Sequence, residues 1–313
     1  MTILVTGGAG FIGSHVVDAY LEAGFSVVVV DNLVTGSKKN LNPRARFYEV
    51  DIRNREALSA VFARERPQFV NHHAAQVNLR FSVDDPLFDA SVNILGTLNV
   101  LELSKEFGVQ KIIFASTGGA LYGEVEYLPV PEEYTPMPLS PYGVAKHAVE
   151  CYLRYYEAIW GIPYVALRYG NVYGPRQDPK GEAGVIAIFS QRILRGEPCI
   201  VFGDGRQTRD YVFVEDVARA NLLALSAPSG AYNIGTGRET SVLELLALLE
   251  CAAGRKIEVV FAEERKGEIS RIALSIEKAR KVLSWEPWVS LEEGLLKTFL
   301  WFAEEMHHEG HGS

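Results

Sequence analysis

The first half of the chain alternates short apolar runs with longer segments of mixed polarity. The runs at 27–30 and 112–115 are apolar at every position, which is typical of strands covered on both faces. The segments between such runs, for example 11–23 and 55–66, have the length and pattern of helices. This alternation predicts an α/β domain built on a doubly wound parallel sheet.

The alternation becomes irregular after Tyr169. Helical patterns follow at 185–195, 214–225, 242–253 and 275–283. The apolar stretch at 232–234 has the character of a strand that returns to the main sheet. We therefore expect a first domain over 1–169 and a smaller C-terminal α/β part over 170–313, with a segment of about 211–235 returning to the first domain.

Composition and charge exclude several classes of protein. The chain has 313 residues, of which 48% are apolar and 22% charged, so it can bury a sizeable core and is not of the disordered type. Its net charge of -8 disfavours nucleic acid and anionic membranes as partners. The three cysteines are widely spaced, which fits thiols in a reducing compartment and indicates neither a disulfide framework nor a metal site. Without a basic leader or an apolar run of about 18 residues, we expect a cytoplasmic protein.

A glycine-rich turn follows the first predicted strand. Residues 6–13 read Thr-Gly-Gly-Ala-Gly-Phe-Ile-Gly, which satisfies both G-x-G-x-x-G and G-x-x-G-x-x-G. Such glycines let backbone N–H groups approach a pyrophosphate, and the helix that follows directs its positive end at it. Asp31 ends the second strand, 18 residues after Gly13, where a carboxylate accepts hydrogen bonds from a ribose diol and repels a 2′-phosphate. The pattern predicts a Rossmann-type domain that binds NAD rather than NADP.

A second cluster of polar side chains indicates catalysis. Tyr142 and Lys146 lie at positions i and i+4 of a helix predicted over 142–160, so both side chains share one face. Ser116 and Thr117 end a strand and supply hydroxyls at the carboxyl edge of the sheet, where open α/β folds bind ligands. A lysine cation and a nicotinamide ring would lower the phenol pKa from about 10 and make Tyr142 a candidate general base. A neighbouring hydroxyl would then orient a substrate alcohol.

Taken together, segments distributed over nearly the whole chain resemble the extended short-chain dehydrogenases/reductases, and most closely the UDP-glucose 4-epimerases. The segments are 6–15, 30–33, 73–76, 93–97, 140–142 with Lys146, 168–176 and 209–214.

This resemblance implies roles for the catalytic and cofactor-binding residues. Tyr142 would be the base, and Lys146 would bind the nicotinamide ribose and lower the pKa of the tyrosine. A hydroxyl residue would complete a catalytic triad with Tyr142 and Lys146. The segment after this hydroxyl is one residue longer than in the family. We favour Thr117 as the hydroxyl residue, and Ser116 is the second candidate. The implied NAD site comprises Gly7, Gly10, Phe11, Ile12, Gly13, Asp31, Asn32, Asp51, Ile52, Ala74, Ala75, Gln76, Asn93, Tyr142, Lys146 and Tyr169.

The same resemblance implies a site for a UDP-sugar. Its residues would be Thr117, Asn171, Arg209 and Arg265. The two arginines stand where the family uses arginines, and a planar guanidinium suits a pyrophosphate because it donates two parallel hydrogen bonds. Arg176 and Arg271 are further candidates.

The implied activity is that of an isomerase, an NAD-dependent 4-epimerase of UDP-glucose and UDP-galactose that acts in galactose metabolism through a transient 4-keto sugar and NADH. The alternatives are another nucleotide-sugar epimerase, a dehydratase or a decarboxylase, acting for example on a UDP-N-acetylhexosamine or UDP-glucuronate, and a non-enzymatic NAD-sensing interaction protein. Gly118 and Gly119 stand where dehydratases carry an acid pair, which disfavours dehydration. The presence of both Tyr142 and Lys146 disfavours a non-enzymatic NAD-sensing protein.

The resemblance also implies a homodimer. Relatives pair through a four-helix bundle, which here would use the helices that start near Pro86 and Tyr142.

Overall fold

The computed structural model describes residues 1–179, 184–264 and 269–310, and for 309–310 the backbone alone. Its strands, in chain order, are β1 (Thr2–Thr6), β2 (Ser26–Asp31), β3 (Arg46–Glu49), β4 (Phe69–His72), β5 (Lys111–Thr117), β6 (Tyr164–Tyr169), β7 (Asn171–Tyr173), β8 (Cys199–Phe202), β9 (Thr208–Arg209), β10 (Tyr211–Phe213), β11 (Gly230–Ile234), β12 (Thr240–Ser241) and β13 (Val259–Ala262).

Ten α-helices connect and cover these strands in the described part of the chain. They are α1 (Phe11–Glu22), α2 (Arg55–Glu65), α3 (Leu79–Asp84), α4 (Pro86–Ala90), α5 (Thr97–Glu106), α6 (Pro141–Trp160), α7 (Val185–Arg195), α8 (Val214–Ala224), α9 (Val242–Ala253) and α10 (Leu291–Gly310). A π-helical segment, Ser91–Gly96, joins α4 to α5. None of the described helices has the length and apolarity needed to cross a membrane.

Seven parallel strands form the central sheet in the order β11-β6-β5-β4-β1-β2-β3. The strand order reverses between β1 and β4, which creates a crevice at the carboxyl ends of these two strands. The stretch at 232–234 lies in β11, which pairs in parallel with β6, Ile234 opposite Tyr169. The predicted fold class, a Rossmann-type doubly wound sheet, is confirmed.

Both faces of the sheet are covered, which explains the uninterrupted apolar runs in its strands. Side chains alternate between the two faces of a strand, so β2 contributes Val28 and Val30 to one layer of core and Val27 and Val29 to the other. The first layer includes residues of α2, α5 and α6, and the second includes residues of α1 and α8. Every position of such a strand therefore favours an apolar residue.

The C-terminal elements enclose a core of their own. Side chains from α7, α9 and α10 pack there around buried residues such as Phe189, Leu245 and Leu295. Short strand pairs accompany them: β7 with β10, β9 with β12, and β8 with β13. The helix predicted over 275–283 ends in a π-helical turn, Ala279–Leu283. Helix α10 is not predicted from the sequence pattern.

Candidate active site

The glycine turn after β1 lies against the segment that follows β4. Gly7 has a φ of +69°, and a Cβ at this position would lie 2.6 Å from the amide nitrogen of Ala74. A Cβ at Gly13 would collide with the carbonyl oxygen of Gly7. Both positions therefore require glycine: Gly7 because the turn approaches the segment after β4 at backbone distance, and Gly13 because helix α1 approaches the turn itself.

Helix α1 begins directly at this turn. Gly10 is its N-cap and provides no side chain that could accept from the first amides of the helix. Those amides have no acceptor within the helix either, so they and the helix dipole form a site for an anion. The geometry fits the pyrophosphate of a dinucleotide, and it brings together the predicted residues Gly7, Gly10, Phe11, Ile12 and Gly13.

Asp31 lies beside the turn, at the end of β2. Its carboxylate accepts hydrogen bonds from the backbone amides of Ala9, at 3.0 Å, and Leu33, at 2.8 Å. These two bonds orient the nearly buried side chain and leave lone pairs for a further donor. This is the arrangement that a ribose diol requires.

Three of the other predicted cofactor residues meet at the ends of β2 and β3. Asn32 donates a hydrogen bond to Asp51, with 2.9 Å between Nδ2 and Oδ2. The Arg53 guanidinium also binds Asp51, at 2.7 Å, and holds the pKa of that carboxyl well below its usual range. Ile52 is buried and lies against Gly96.

The segment after β4 is fixed by Asn93 of the π-helical segment. The Asn93 side chain accepts from the backbone amide of Gln76 and donates to the Gln76 carbonyl, both at 2.9 Å. It also donates to Asp89, again at 2.9 Å. Asp89 is a buried acid at the site that the sequence analysis missed. No motif marks it, because its burial depends on how α4 packs.

Tyr142 and Lys146 lie in the first turns of α6. The helix starts after Ser140, whose side chain accepts from the Gly143 amide, and Pro141 occupies its first position. The Lys146 ammonium lies 5.7 Å from the centroid of the Tyr142 ring and donates to the carbonyl of Ala115, at 2.7 Å. Lys146 thus lies at the carboxyl end of β5, with the Tyr142 ring beside its ammonium.

Burial dominates the electrostatics of this pair. Loss of solvation lowers the pKa of Lys146 to about 8, although Asp89 and Glu150 favour its charged form. The pKa of Tyr142 is raised, first by burial and then by the Asp89 carboxylate. The sequence predicts that Lys146 and a nicotinamide ring together lower the pKa of this phenol. Among the protein's own groups, desolvation and the Asp89 carboxylate raise that pKa.

The two candidate hydroxyls have different surroundings. Ser116 is buried and donates to Glu150, with 2.6 Å between the two oxygens. Thr117, the next residue, is partly exposed, and its Oγ1 accepts from the Ala120 amide at 3.2 Å. The Ser116 hydroxyl is therefore engaged in the interior with a residue of α6, whereas the Thr117 side chain keeps partial exposure and a hydroxyl that can still donate.

The ends of β6 and β7 border the same crevice. Tyr169 stacks on His73, with ring centroids 6.2 Å apart, and its hydroxyl exchanges hydrogen bonds with Asn221. The phenol oxygen of Tyr169 is therefore already engaged in the interior. Asn171 lies close to the turn that follows Thr117, since its Oδ1 would be 3.6 Å from a Cβ at Gly119.

The four arginines considered for the substrate differ. Arg209 is in β9, where its guanidinium donates to the carbonyl of Thr208 at 2.9 Å. Arg176 forms an ion pair with Asp18 at 2.7 Å, and Arg271 forms one with Glu239 at 2.5 Å. In these two ion pairs the guanidinium groups of Arg176 and Arg271 are bound by acidic side chains of the protein itself. Arg265 lies outside the described residues.

The fold, the glycine turn, Asp31 and the Tyr142–Lys146 helix together define a dinucleotide-dependent enzyme. The model of the NAD dependent epimerase/dehydratase family matches residues 3–235, and the chain belongs to this family.

Its relatives include UDP-glucose 4-epimerases. The enzyme of that name from Mycolicibacterium smegmatis is 43% identical over 310 residues, which span 96% of this chain and 98% of the relative. The crystal structure of UDP-glucose 4-epimerase from Thermotoga maritima with UDP-glucose has a TM-score of 0.96 and 52% identity, and the match covers 98% of this chain and 100% of that one. The structure of the Thermus thermophilus UDP-glucose 4-epimerase in complex with NAD has a TM-score of 0.93 and 47% identity. That match covers 97% of this chain and 99% of the Thermus chain.

Proposed function

We propose that this protein is an NAD-dependent 4-epimerase that interconverts UDP-glucose and UDP-galactose. The observation that carries the proposal is the placement of Lys146 at the carboxyl end of β5 with the Tyr142 ring beside its ammonium, in a fold whose glycine turn fits a dinucleotide. The chain's 52% identity to a UDP-glucose 4-epimerase solved with UDP-glucose supports the choice of sugar.

NAD, when bound, takes up a hydride from C4 of the sugar and returns it to the opposite face, so configuration inverts without net oxidation. Tyr142 accepts the proton of the C4 hydroxyl and later gives it back. Because burial raises the pKa of this phenol, its phenolate needs positive charge nearby. The Lys146 ammonium, 5.7 Å from the centroid of the Tyr142 ring, supplies such a charge. Thr117, the partly exposed of the two candidate hydroxyl residues, orients the C4 hydroxyl.

The substrate's nucleotide half would be held apart from the reacting sugar. We assign Asn171, Arg209 and Arg265 to this half, with the two arginines on the diphosphate. Strong binding of UDP leaves the hexose free to turn over between the two hydride transfers. This assignment fits a dinucleotide-binding part over 1–169 and a substrate-binding part over 170–313. The segment of about 211–235 is an exception, because it returns to the dinucleotide-binding part.

Packing around Gly118 favours epimerisation over dehydration. A Cβ at Gly118 would collide with the side chain of Leu274, which is buried. The acid that a dehydratase carries after its hydroxyl residue therefore has no room here without repacking.

We also propose a homodimer in the cytoplasm. Apolar side chains are exposed along α4, the π-helical segment and α6, namely Leu87, Leu95, Val144, Tyr155, Ile159 and Trp160. So large an exposed apolar face is typical of a protein interface. Cys151, Cys199 and Cys251 are free thiols, which fits a reducing compartment.

Incubation with UDP-galactose tests the proposed activity. We expect conversion to an equilibrium mixture that contains UDP-glucose, detected by separating the sugars after mild acid hydrolysis. A 4-keto-6-deoxy sugar as the product would overturn epimerisation in favour of dehydration, and unchanged UDP-galactose with NAD bound would exclude this substrate.

A further inference from the structure

Asp89 is buried in a helix whose neighbouring side chains are exposed. Only 1% of Asp89 is accessible to solvent, whereas Leu87, two residues earlier, is 82% exposed. Helix α4 packs against α6, the helix that carries Tyr142 and Lys146. A carboxyl group is costly to bury unless it is hydrogen-bonded or balanced by charge, so its position calls for a physical reason.

The hydrogen bonds of Asp89 connect it to the cofactor side of the crevice. Its Oδ1 accepts from Nε2 of Gln76 and from Nδ2 of Asn93, both at 2.9 Å. Asn93 in turn holds the backbone of Gln76 from both sides. These three residues form a closed set of bonds, which we call the Asp89 clamp, and it ties the segment after β4 to α4.

The charge of Asp89 acts on both members of the catalytic pair. It favours the ammonium form of Lys146 and so raises the pKa of that residue, and it disfavours the phenolate and so raises the pKa of Tyr142. Burial raises the pKa of Asp89 itself, while its two amide donors and Lys146 favour the carboxylate. Its side-chain donors in the clamp are neutral amides, which leave its negative charge uncancelled.

Other titratable groups around Lys146 have less influence on its titration. Glu150, one turn further along α6, also favours the ammonium, but its carboxylate is paired with the Arg168 guanidinium at 2.6 Å. His72 and His73 lie at the end of β4, and burial lowers the pKa of each to about 3, so they stay neutral at physiological pH.

We propose that Asp89 is a positioning residue that sets the charge states of Lys146 and Tyr142 and, through its clamp, holds the cofactor-side segment against them. The proposal rests on the epimerase function for its role in turnover. Its effect on Lys146 is a property of the protein itself and does not depend on which sugar is the substrate.

The variant Asp89→Asn separates charge from hydrogen bonding. An asparagine oxygen still accepts from Gln76 and Asn93, but the negative charge is gone. In the NAD-loaded enzyme, the acid limb of the pH-rate profile depends on a deprotonated Tyr142, whose phenolate the positive nicotinamide ring stabilises against burial, and the basic limb depends on a protonated Lys146. Loss of the Asp89 charge lowers both pKa values. We therefore expect both limbs of kcat to move to lower pH by about one unit. The exposed acid Asp84 provides the control, since Asp84→Asn makes the same change of charge in solvent and should leave both limbs in place.

A second measurement does not require turnover. The 13Cε signal of Lys146, assigned by its absence in Lys146→Arg, should titrate in the wild type with a midpoint of about 8. In Asp89→Asn, and in Asp89→Ser if the asparagine variant does not fold, the midpoint should fall by about one unit.

Loss of activity with unshifted limbs and an unshifted Lys146 midpoint would overturn the proposal, because it would show that Asp89 contributes packing alone. A wild type that binds NAD without epimerising UDP-galactose would instead refute the proposed substrate, and the Lys146 titration would still test Asp89.

Discussion

Ser116 donates a 2.6 Å hydrogen bond to Glu150, a residue of the helix that carries Tyr142 and Lys146. The same carboxylate is paired with the Arg168 guanidinium of β6, also at 2.6 Å. This buried group of three side chains connects β5, β6 and α6 directly beneath the catalytic pair. It makes the alignment of the crevice depend on interior charges that contact no ligand.

Replacing Glu150 should be strongly destabilising. In Glu150→Gln the Arg168 guanidinium, whose side chain is 8% exposed, would keep its charge without a counter-ion. Leaving one partner of a buried pair uncompensated costs about 3–5 kcal/mol. Urea unfolding monitored by circular dichroism measures this. The exposed pair of Arg55 and Glu106 provides the control, because Glu106→Gln should cost less than about 1 kcal/mol. Equal effects of the two variants would contradict a buried, energetically coupled pair.

Loss of the Ser116 hydroxyl should mainly affect stability, and loss of the Thr117 hydroxyl should mainly affect turnover. Ser116→Ala removes a donor to Glu150 and is expected to destabilise the fold by about 1–3 kcal/mol, with most of kcat retained in the folded fraction. Thr117→Val keeps shape but loses the hydroxyl, and it should lower kcat at least about 10-fold with a smaller change in stability. Thermal melting measures the stability of both variants, and steady-state assays measure their kcat. The reverse pattern would assign the catalytic hydroxyl to Ser116.

Removal of the Tyr142 hydroxyl should abolish turnover and leave the cofactor bound. A general base contributes about 10²–10⁴-fold, so Tyr142→Phe should lose at least that factor in kcat. NAD released by denaturation is then quantified to check that the site is intact. Tyr152 of the same helix is exposed, and Tyr152→Phe is the matched control with normal activity. Near-normal turnover in Tyr142→Phe would exclude this residue as the base.

Asp31 should determine the choice between the two nicotinamide dinucleotides. Asp31→Asn replaces one carboxylate oxygen with an amide donor, which disturbs the bond from Ala9 or Leu33 and removes an acceptor for the ribose. We expect NAD affinity to fall about 10-fold or more, and the preference for NAD over NADP to narrow because repulsion of the 2′-phosphate is lost. Fluorescence titration with both dinucleotides measures this; an unchanged ratio of dissociation constants would argue against the assignment.

The buried Lys146 ammonium should lower the free energy of unfolding of the wild type at pH 7. Its pKa is about 8 in the folded state against 10.5 in the unfolded chain, so the folded state binds fewer protons between these values. Stability therefore rises with pH through that window, and the full penalty is present below pH 8. At pH 7 an inactive Lys146→Met variant should be about 1–3 kcal/mol more stable than the wild type, after loss of the bond to Ala115. Urea unfolding should show that the difference in free energy of unfolding between Lys146→Met and the wild type is smaller at pH 10 than at pH 7. The same difference at both pH values would contradict the prediction.

Much of the fold follows from local signals in the sequence. The apolar run at 27–30 predicts a strand covered on both faces, and β2 is such a strand because helices pack on either side of it. The glycines at 7 and 13 are required by backbone contacts that no side chain tolerates. Spacing places Tyr142 and Lys146 on one face of a helix, since the geometry of an α-helix is regular enough to be read from sequence.

Tertiary structure alone decided the protonation and the surroundings of that site. Which hydroxyl faces the crevice depends on the contact of Ser116 with Glu150, and the raised pKa of Tyr142 depends on how much protein excludes water from the phenol. The role of Asp89 depends on the packing of α4 against α6. Desolvation and long-range charge arise from all surrounding atoms together, whereas a sequence motif records only residues that are close along the chain.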